Sequence, residues 1–153
     1  MSNIRSDIPV ALPCFLFIDY NDVAGVDTDQ VAADVGRFVV PFKCQVILAA
    51  LVVTEVCAGT LTPVVAFDKR PTAGSDTDRG DGDIANFVMG TTAAGKVLYD
   101  LAAAGTVLTP GEEVIIEITV QPTDAASGHF VPYLLVEALP ETKANLGDLV
   151  ATA

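Results

Sequence analysis

Tryptophan is absent from this chain, histidine occurs once, and eight lysines and arginines stand against twenty aspartates and glutamates. Each shortage excludes something. At a formal charge of −12 the long-range field repels phosphate backbones and anionic lipid, so nucleic acid and membrane are not expected partners. With His129 the one histidine, any serine or cysteine hydrolase would have to use it as base. Ser127 lies two residues away in a Gly and Ser turn, with no G-x-S-x-G elbow to hold it. Without tryptophan, a sugar-stacking face would rest on Tyr20, Tyr99 and Tyr133, which fall in separate elements where a tyrosine more often edges a core. The longest strictly apolar run, Val46 to Val53, is far below the ~20 residues that span a bilayer. The opening Met-Ser-Asn-Ile-Arg has no basic-then-apolar signal pattern, and the chain reads as a soluble protein made in a cytoplasm. Cys14, Cys44 and Cys57 are an odd count without C-x-x-C spacing, each among apolar residues, and read as buried thiols rather than a disulfide framework or a metal site.

What is present is apolar and β-forming. Half the residues are hydrophobic and 18% are charged, which places the chain far from disordered sequences. No repeat, low-complexity block or linker divides residues 1–153, so one domain is expected. Pro9 and Pro13 mark Ile8 to Ile18 as an edge strand or an arm, and 1–18 and 139–153 are candidate terminal arms. Asp19 to Asp34 reads as a solvated loop with one helical turn at Gln30 to Ala33, and Asp68 to Asp83 as a second polar loop. Strands are expected at Arg37 to Phe42, Cys44 to Thr54, Leu61 to Phe67, Ile84 to Met89 and Phe130 to Ala138. Cys44 to Thr54, apolar on both faces, suits the middle of a packed sandwich. Thr91 to Ala104 is open between helix, from its alanines, and a short strand at Val97-Leu98-Tyr99.

The clearest element is Glu113 to Val120, where Val114, Ile116, Ile118 and Val120 alternate with Glu113, Ile115, Glu117 and Thr119. Thr109-Pro110-Gly111-Glu112 before it fits a type II turn. A Gly and Ser loop is expected at Ala125 to Gly128. Seven or so short strands without βα alternation predict an all-β fold, an antiparallel sandwich of jelly-roll type with at most one short helix.

Two motifs invite chemistry. Gly90-Thr-Thr-Ala-Ala-Gly95-Lys96-Val97 has phosphate-loop spacing, but Val97 stands where a hydroxyl would ligate magnesium and no βαβ unit surrounds it. A glycine-flanked turn between sheet elements is the better reading. Asp76, Asp78, Asp81 and Asp83 concentrate four carboxylates beside two glycines, the oxygen-rich kind of loop that can wrap Ca²⁺. Their spacing departs from the EF-hand pattern, with Gly80 at the fifth position and no Glu at the twelfth, so aspartates serving turn chemistry compete with a cation site. The Arg79-Gly80-Asp81 triplet within it is short enough to recur by chance.

The order of segments carries more than either motif. Gly36-Arg-Phe-Val-Val-Pro-Phe-Lys-Cys-Gln-Val46, Pro63-Val-Val-Ala-Phe-Asp-Lys-Arg70, the Asp-rich loop, Gly95-Lys-Val-Leu-Tyr-Asp100, Thr109-Pro-Gly-Glu-Glu-Val114 and Pro132-Tyr-Leu-Leu-Val-Glu137 follow one another over residues 36–138. Together they resemble the small β-sandwich decoration, or cement, proteins of tailed-bacteriophage capsids. The resemblance implies a virion structural protein without catalytic residues or cofactor. Such a protein binds the capsid exterior, with the major capsid protein as partner, often as a homotrimer, and is made in the host cytoplasm. A tail or head-fibre component is the neighbouring alternative. A carbohydrate-binding or Ca²⁺-dependent adhesion module is the alternative from another class.

Overall fold

The computed structural model describes residues 13–16, 24–28, 34–70, 84–101, 103–123 and 127–139. Ten strands occur among them: β1 Pro13–Leu16, β2 Val26–Asp27, β3 Asp34–Val39, β4 Cys44–Ala58, β5 Val64–Arg70, β6 Ala85–Val88, β7 Val97–Asp100, β8 Val107–Leu108, β9 Glu113–Val120 and β10 Ser127–Ala138. There is no helix among the described residues.

The strands form two antiparallel sheets ordered β1-β10-β4-β7 and β3-β9-β5-β6, with β2 beside β10 and β8 beside β4. Early strands pair with late ones in nested fashion: β1 with β10, β3 with β9, β4 with β7 and β5 with β6. That is the order a long hairpin adopts when rolled into a two-sheet barrel, and the expected jelly-roll sandwich is what the chain forms.

The core lies between the sheets. Val46, Ala49, Leu51 and Val53 of β4 and Phe130, Leu134 and Val136 of β10 meet Val65 and Phe67 of β5 and Val114, Ile116 and Ile118 of β9. Phe67 and Phe87 pack edge to face with ring centroids 5.4 Å apart, the arrangement the aromatic quadrupole favours.

β9 has the bounds its alternation predicted, and its turn is the expected one. Gly111 takes φ +89°, and the Glu112 amide donates to the Thr109 carbonyl at 3.1 Å. Elsewhere the boundaries move. β4 runs four residues past Thr54 and has 15 residues against 12 in β10. The excess is taken up at three register shifts, each a bulge that adds a residue to β4. Bulges bend a strand and reset which side chains face inward, so β4 looks apolar on both sides in sequence while in space Cys44 and Val46, then Ala49, Leu51 and Val53, point into the core.

Several expectations are corrected. Over 91–104, where helix and strand both stood open, the strand alternative holds: no helix occurs among the described residues, the glycine-flanked segment makes turns and 97–100 pair with β4. The solvated loop expected over 19–34 is partly built into the sheet where it is described: β2 pairs with β10 and both Val26 and Thr28 are buried, while Ala24 is exposed. The helical turn at 30–33 lies outside the described residues. The polar loop begins later than Asp68, since Asp68, Lys69 and Arg70 end β5. The strand expected over Leu61 to Phe67 starts at Val64, after Pro63, and the one over Arg37 to Phe42 stops at Val39, before Pro41. Ser127 and Gly128 belong to β10 rather than to a loop.

Candidate functional site

The strands β10, β4 and β7 present one face to the core and the other outward. On the outward face, register sets Leu135 opposite Leu48, Tyr133 opposite Ala50 opposite Tyr99, and Val131 opposite Val52 opposite Val97. Side chains opposite each other across antiparallel strands lie about 4.5–5.5 Å apart at Cβ. These rows therefore make one continuous apolar field. It is bounded by a polar pair at each end: Gln45 Nε2 donates to Glu137 Oε2 at 3.4 Å, and His129 Nδ1 pairs with Glu55 Oε2 at 2.6 Å. The field opens toward β7, where Val97 is 51% exposed and Tyr99 and the following Leu101 are each 65% exposed.

A contiguous apolar patch rimmed by polar residues is the usual mark of a protein–protein surface. Sequence reasoning missed it because Tyr99 and Tyr133 stand far apart in the chain. Only the pairing of both strands with Ala50 brings them into one row.

The sequence candidates fare differently. Asp76, Asp78, Asp81 and Asp83 lie outside the described residues, as does Tyr20. Among the described residues no group of three or more histidine, cysteine, aspartate or glutamate side chains could hold a metal ion. The Gly90 to Lys96 segment is the turn joining β6 in one sheet to β7 in the other. Its amides are engaged within the fold: Gly95 donates to the Val53 carbonyl at 2.7 Å, Lys96 to Ala93 at 3.2 Å and Thr92 to Met89 at 3.2 Å. A phosphate cradle needs those amides turned toward the ligand at a helix start, and here Val97 opens a strand.

His129, Ser127 and Cys57 are neighbours that do not form a nucleophilic site. Ser127 Oγ donates to the Val56 carbonyl at 3.5 Å. Cys57 is buried, lies 3.9 Å from the Met89 sulfur and sits on the core side of the sheet whose outer side carries His129. Burial pushes its thiol above the ordinary 9.0, opposed by a hydrogen bond from Thr28 and assisted by the negative charge of Glu55. A thiol so placed is packing, as the sequence suggested, and Cys44 is likewise buried.

A raised thiol pKa stabilises the fold fully below the ordinary thiol value and loses that contribution as pH climbs toward the folded value, because the unfolded chain releases a proton that folded Cys57 keeps. In a Cys14→Ser background, Cys44 and Cys57 should therefore resist a thiol-labelling reagent until the chain unfolds. Unfolding free energy measured in urea should fall with rising alkalinity, and less steeply in Cys57→Ala.

No protein-family model matches the chain, and no curated protein or solved structure does.

Proposed function

We propose that this protein is a non-enzymatic virion component that seats on the outer surface of an assembled bacteriophage capsid and stabilises contacts between capsid subunits. The apolar field on the β10-β4-β7 face carries the reading. It offers a largely uncharged surface held on paired strands, suited to covering a seam between neighbouring major capsid proteins. The order of segments over 36–138, which resembles decoration proteins, supports the same partner. The strong net negative charge suits life on the exterior of a shell, away from packaged nucleic acid. Trimeric assembly at threefold positions is the form this reading favours, since many weak copies add up across a symmetric shell.

The test is co-sedimentation with assembled shells of a tailed-bacteriophage major capsid protein. Native protein should pellet with the shells, and Val131→Asp, which sets a carboxylate in the Val131-Val52-Val97 row of the apolar field, should bind at least tenfold more weakly while keeping its fold. Shells that bind neither protein, or both alike, would sink the proposal.

One observation favours a second reading, carbohydrate binding. Tyr99 and Tyr133 flank the small Ala50, two strand spacings or about 9.6 Å apart, a separation at which two aromatic rings can stack on alternate sugars of a chain. Calorimetric titration of native protein and Val131→Asp with neutral oligosaccharides separates the readings, since heat from sugar without binding to shells favours the second.

A further inference from the structure

β7 ends its sheet: it pairs with β4 on one side and no described strand lies on the other. Proteins guard such edges with proline, bulges or inward charges, because an open edge is a template for another strand. β7 has neither proline nor bulge along Val97 to Asp100, and its register with β4 is unbroken; the charge on its inner side, Asp100, stands at the end of the strand opposite Ala49. Its outward side chains, Val97 and Tyr99, are apolar and exposed, and Leu101 extends the same strip.

The segment is also complementary to itself. Read from either end about Leu98, Lys96-Val97-Leu98-Tyr99-Asp100 sets a cation against an anion and an aliphatic side chain against an aromatic one. We propose that β7 pairs antiparallel with β7 of a second copy across a two-fold axis through Leu98. Lys96 of each copy then faces Asp100 of the other, and Val97 faces Tyr99. Both copies keep their apolar faces on one side, so their β1-β10-β4-β7 sheets join into a continuous sheet and their apolar fields into one surface. A shift by two positions, the smallest that preserves this alignment, sets Leu98 against Asp100 and forfeits both ion pairs. The net charge of −12 does not forbid the contact, because at physiological salt fields are screened beyond about 8 Å while the two pairs act at contact. A two-fold contact cannot close a ring of three. It links copies pairwise, whether those copies are single chains or members of trimers.

The inference stands apart from capsid binding, since its tests use the isolated protein. In sedimentation equilibrium at physiological salt, native protein should show mass rising with concentration to twice that of its smallest unit. Lys96→Asp, at an exposed position, should weaken this association at least tenfold while leaving the urea unfolding midpoint unchanged, and the exchange Lys96→Asp with Asp100→Lys should restore it. In a Cys14→Ser background, oxidation of a mixture of Val97→Cys and Tyr99→Cys proteins should give crosslinked pairs containing one of each, while neither protein alone should crosslink comparably. A native mass independent of concentration, an unchanged association of Lys96→Asp, or a crosslink of Val97→Cys with itself as strong as that of the mixture would each overturn the proposal.

Discussion

Gly128→Ala should lower the unfolding free energy by about 4 kcal/mol, combining the cost of a side chain at an unfavourable φ with that of overpacking a dense interior. Gly128 stands at φ +137°, inside the bulge where β10 pairs with the end of β4. A Cβ added there would lie 2.7 Å from Cys57 Sγ, 2.9 Å from Cys57 Cα and 2.9 Å from Thr28 Oγ1. Two of those atoms are a side chain locked in the core and one is backbone, so relief requires moving β4 itself. The same spot fastens the 24–28 segment: the Thr28 amide donates to the Gly128 carbonyl at 2.9 Å, and its hydroxyl does so at 3.1 Å. Gly105 supplies the control, at φ +93° with open space where its Cβ would be. Gly105→Ala should cost about 1–2 kcal/mol, the backbone share alone. Urea unfolding of both variants checks the difference. Equal costs would mean that the close approach to Cys57 and Thr28 contributes nothing.

The second large effect is expected on the outer face of the other sheet. Glu113, buried on β9, receives Arg70 Nε at 2.7 Å and Arg37 Nη2 at 2.6 Å on its two oxygens. Arg70 is itself buried, while the Arg37 side chain is 60% exposed. Removing Arg70 leaves a desolvated carboxylate with only a solvent-screened partner, so Arg70→Leu should cost about 3–5 kcal/mol. Arg37→Ala, which removes the exposed partner, should cost about 1 kcal/mol or less. The double change Arg70→Leu with Glu113→Leu takes away both buried charges, and it should recover at least half of what Arg70→Leu loses, because an apolar pair of similar volume is often no less stable than a buried ion pair. A double-mutant cycle followed by urea unfolding measures that coupling. If the two single costs simply add, the ion pair is not the source of the stability.

These two sites also mark where sequence reading stops. Alternation over Glu113 to Val120 gave β9 its bounds because its one bulge against β5 falls at the far end, between Ile118 and Val120, and leaves the side-chain phase intact from Glu113 to Ile118. The Pro-Gly turn before it was legible because only one turn type puts proline and a positive φ side by side. Alternation marked Glu113, Ile115, Glu117 and Thr119 as one face but said nothing of its burial: Glu113 and Glu117 are buried, with Ile115 between them. Charges read as solvent-facing unless their counter-ions are visible, and Arg70 lies on another strand 43 residues away. For β4 the obstacle was phase. Three bulges against β10 break the period of two, so a strand with one core face looks apolar throughout. Gly128 looked like a loop residue because glycine beside serine signals a turn, whereas in space it is the point where strand and core approach too closely for any side chain. The apolar field belongs to the same class of hidden feature: its residues come from three strands, and only register assembles them.

The nested pairing of early with late strands sets the timing of folding. β10 lies between β1 and β4, and β9 between β3 and β5, so neither sheet is contiguous until the last two strands exist. A nascent chain that has emerged only as far as β8 has β4 exposing one side of Leu51 and Val53 to water, with no Phe130 or Leu134 yet made to cover them. Closure must then bring together segments more than a hundred residues apart, as in β1 with β10, which places this protein among the slow, high-contact-order folders that complete their structure only after the ribosome has delivered nearly the whole sequence.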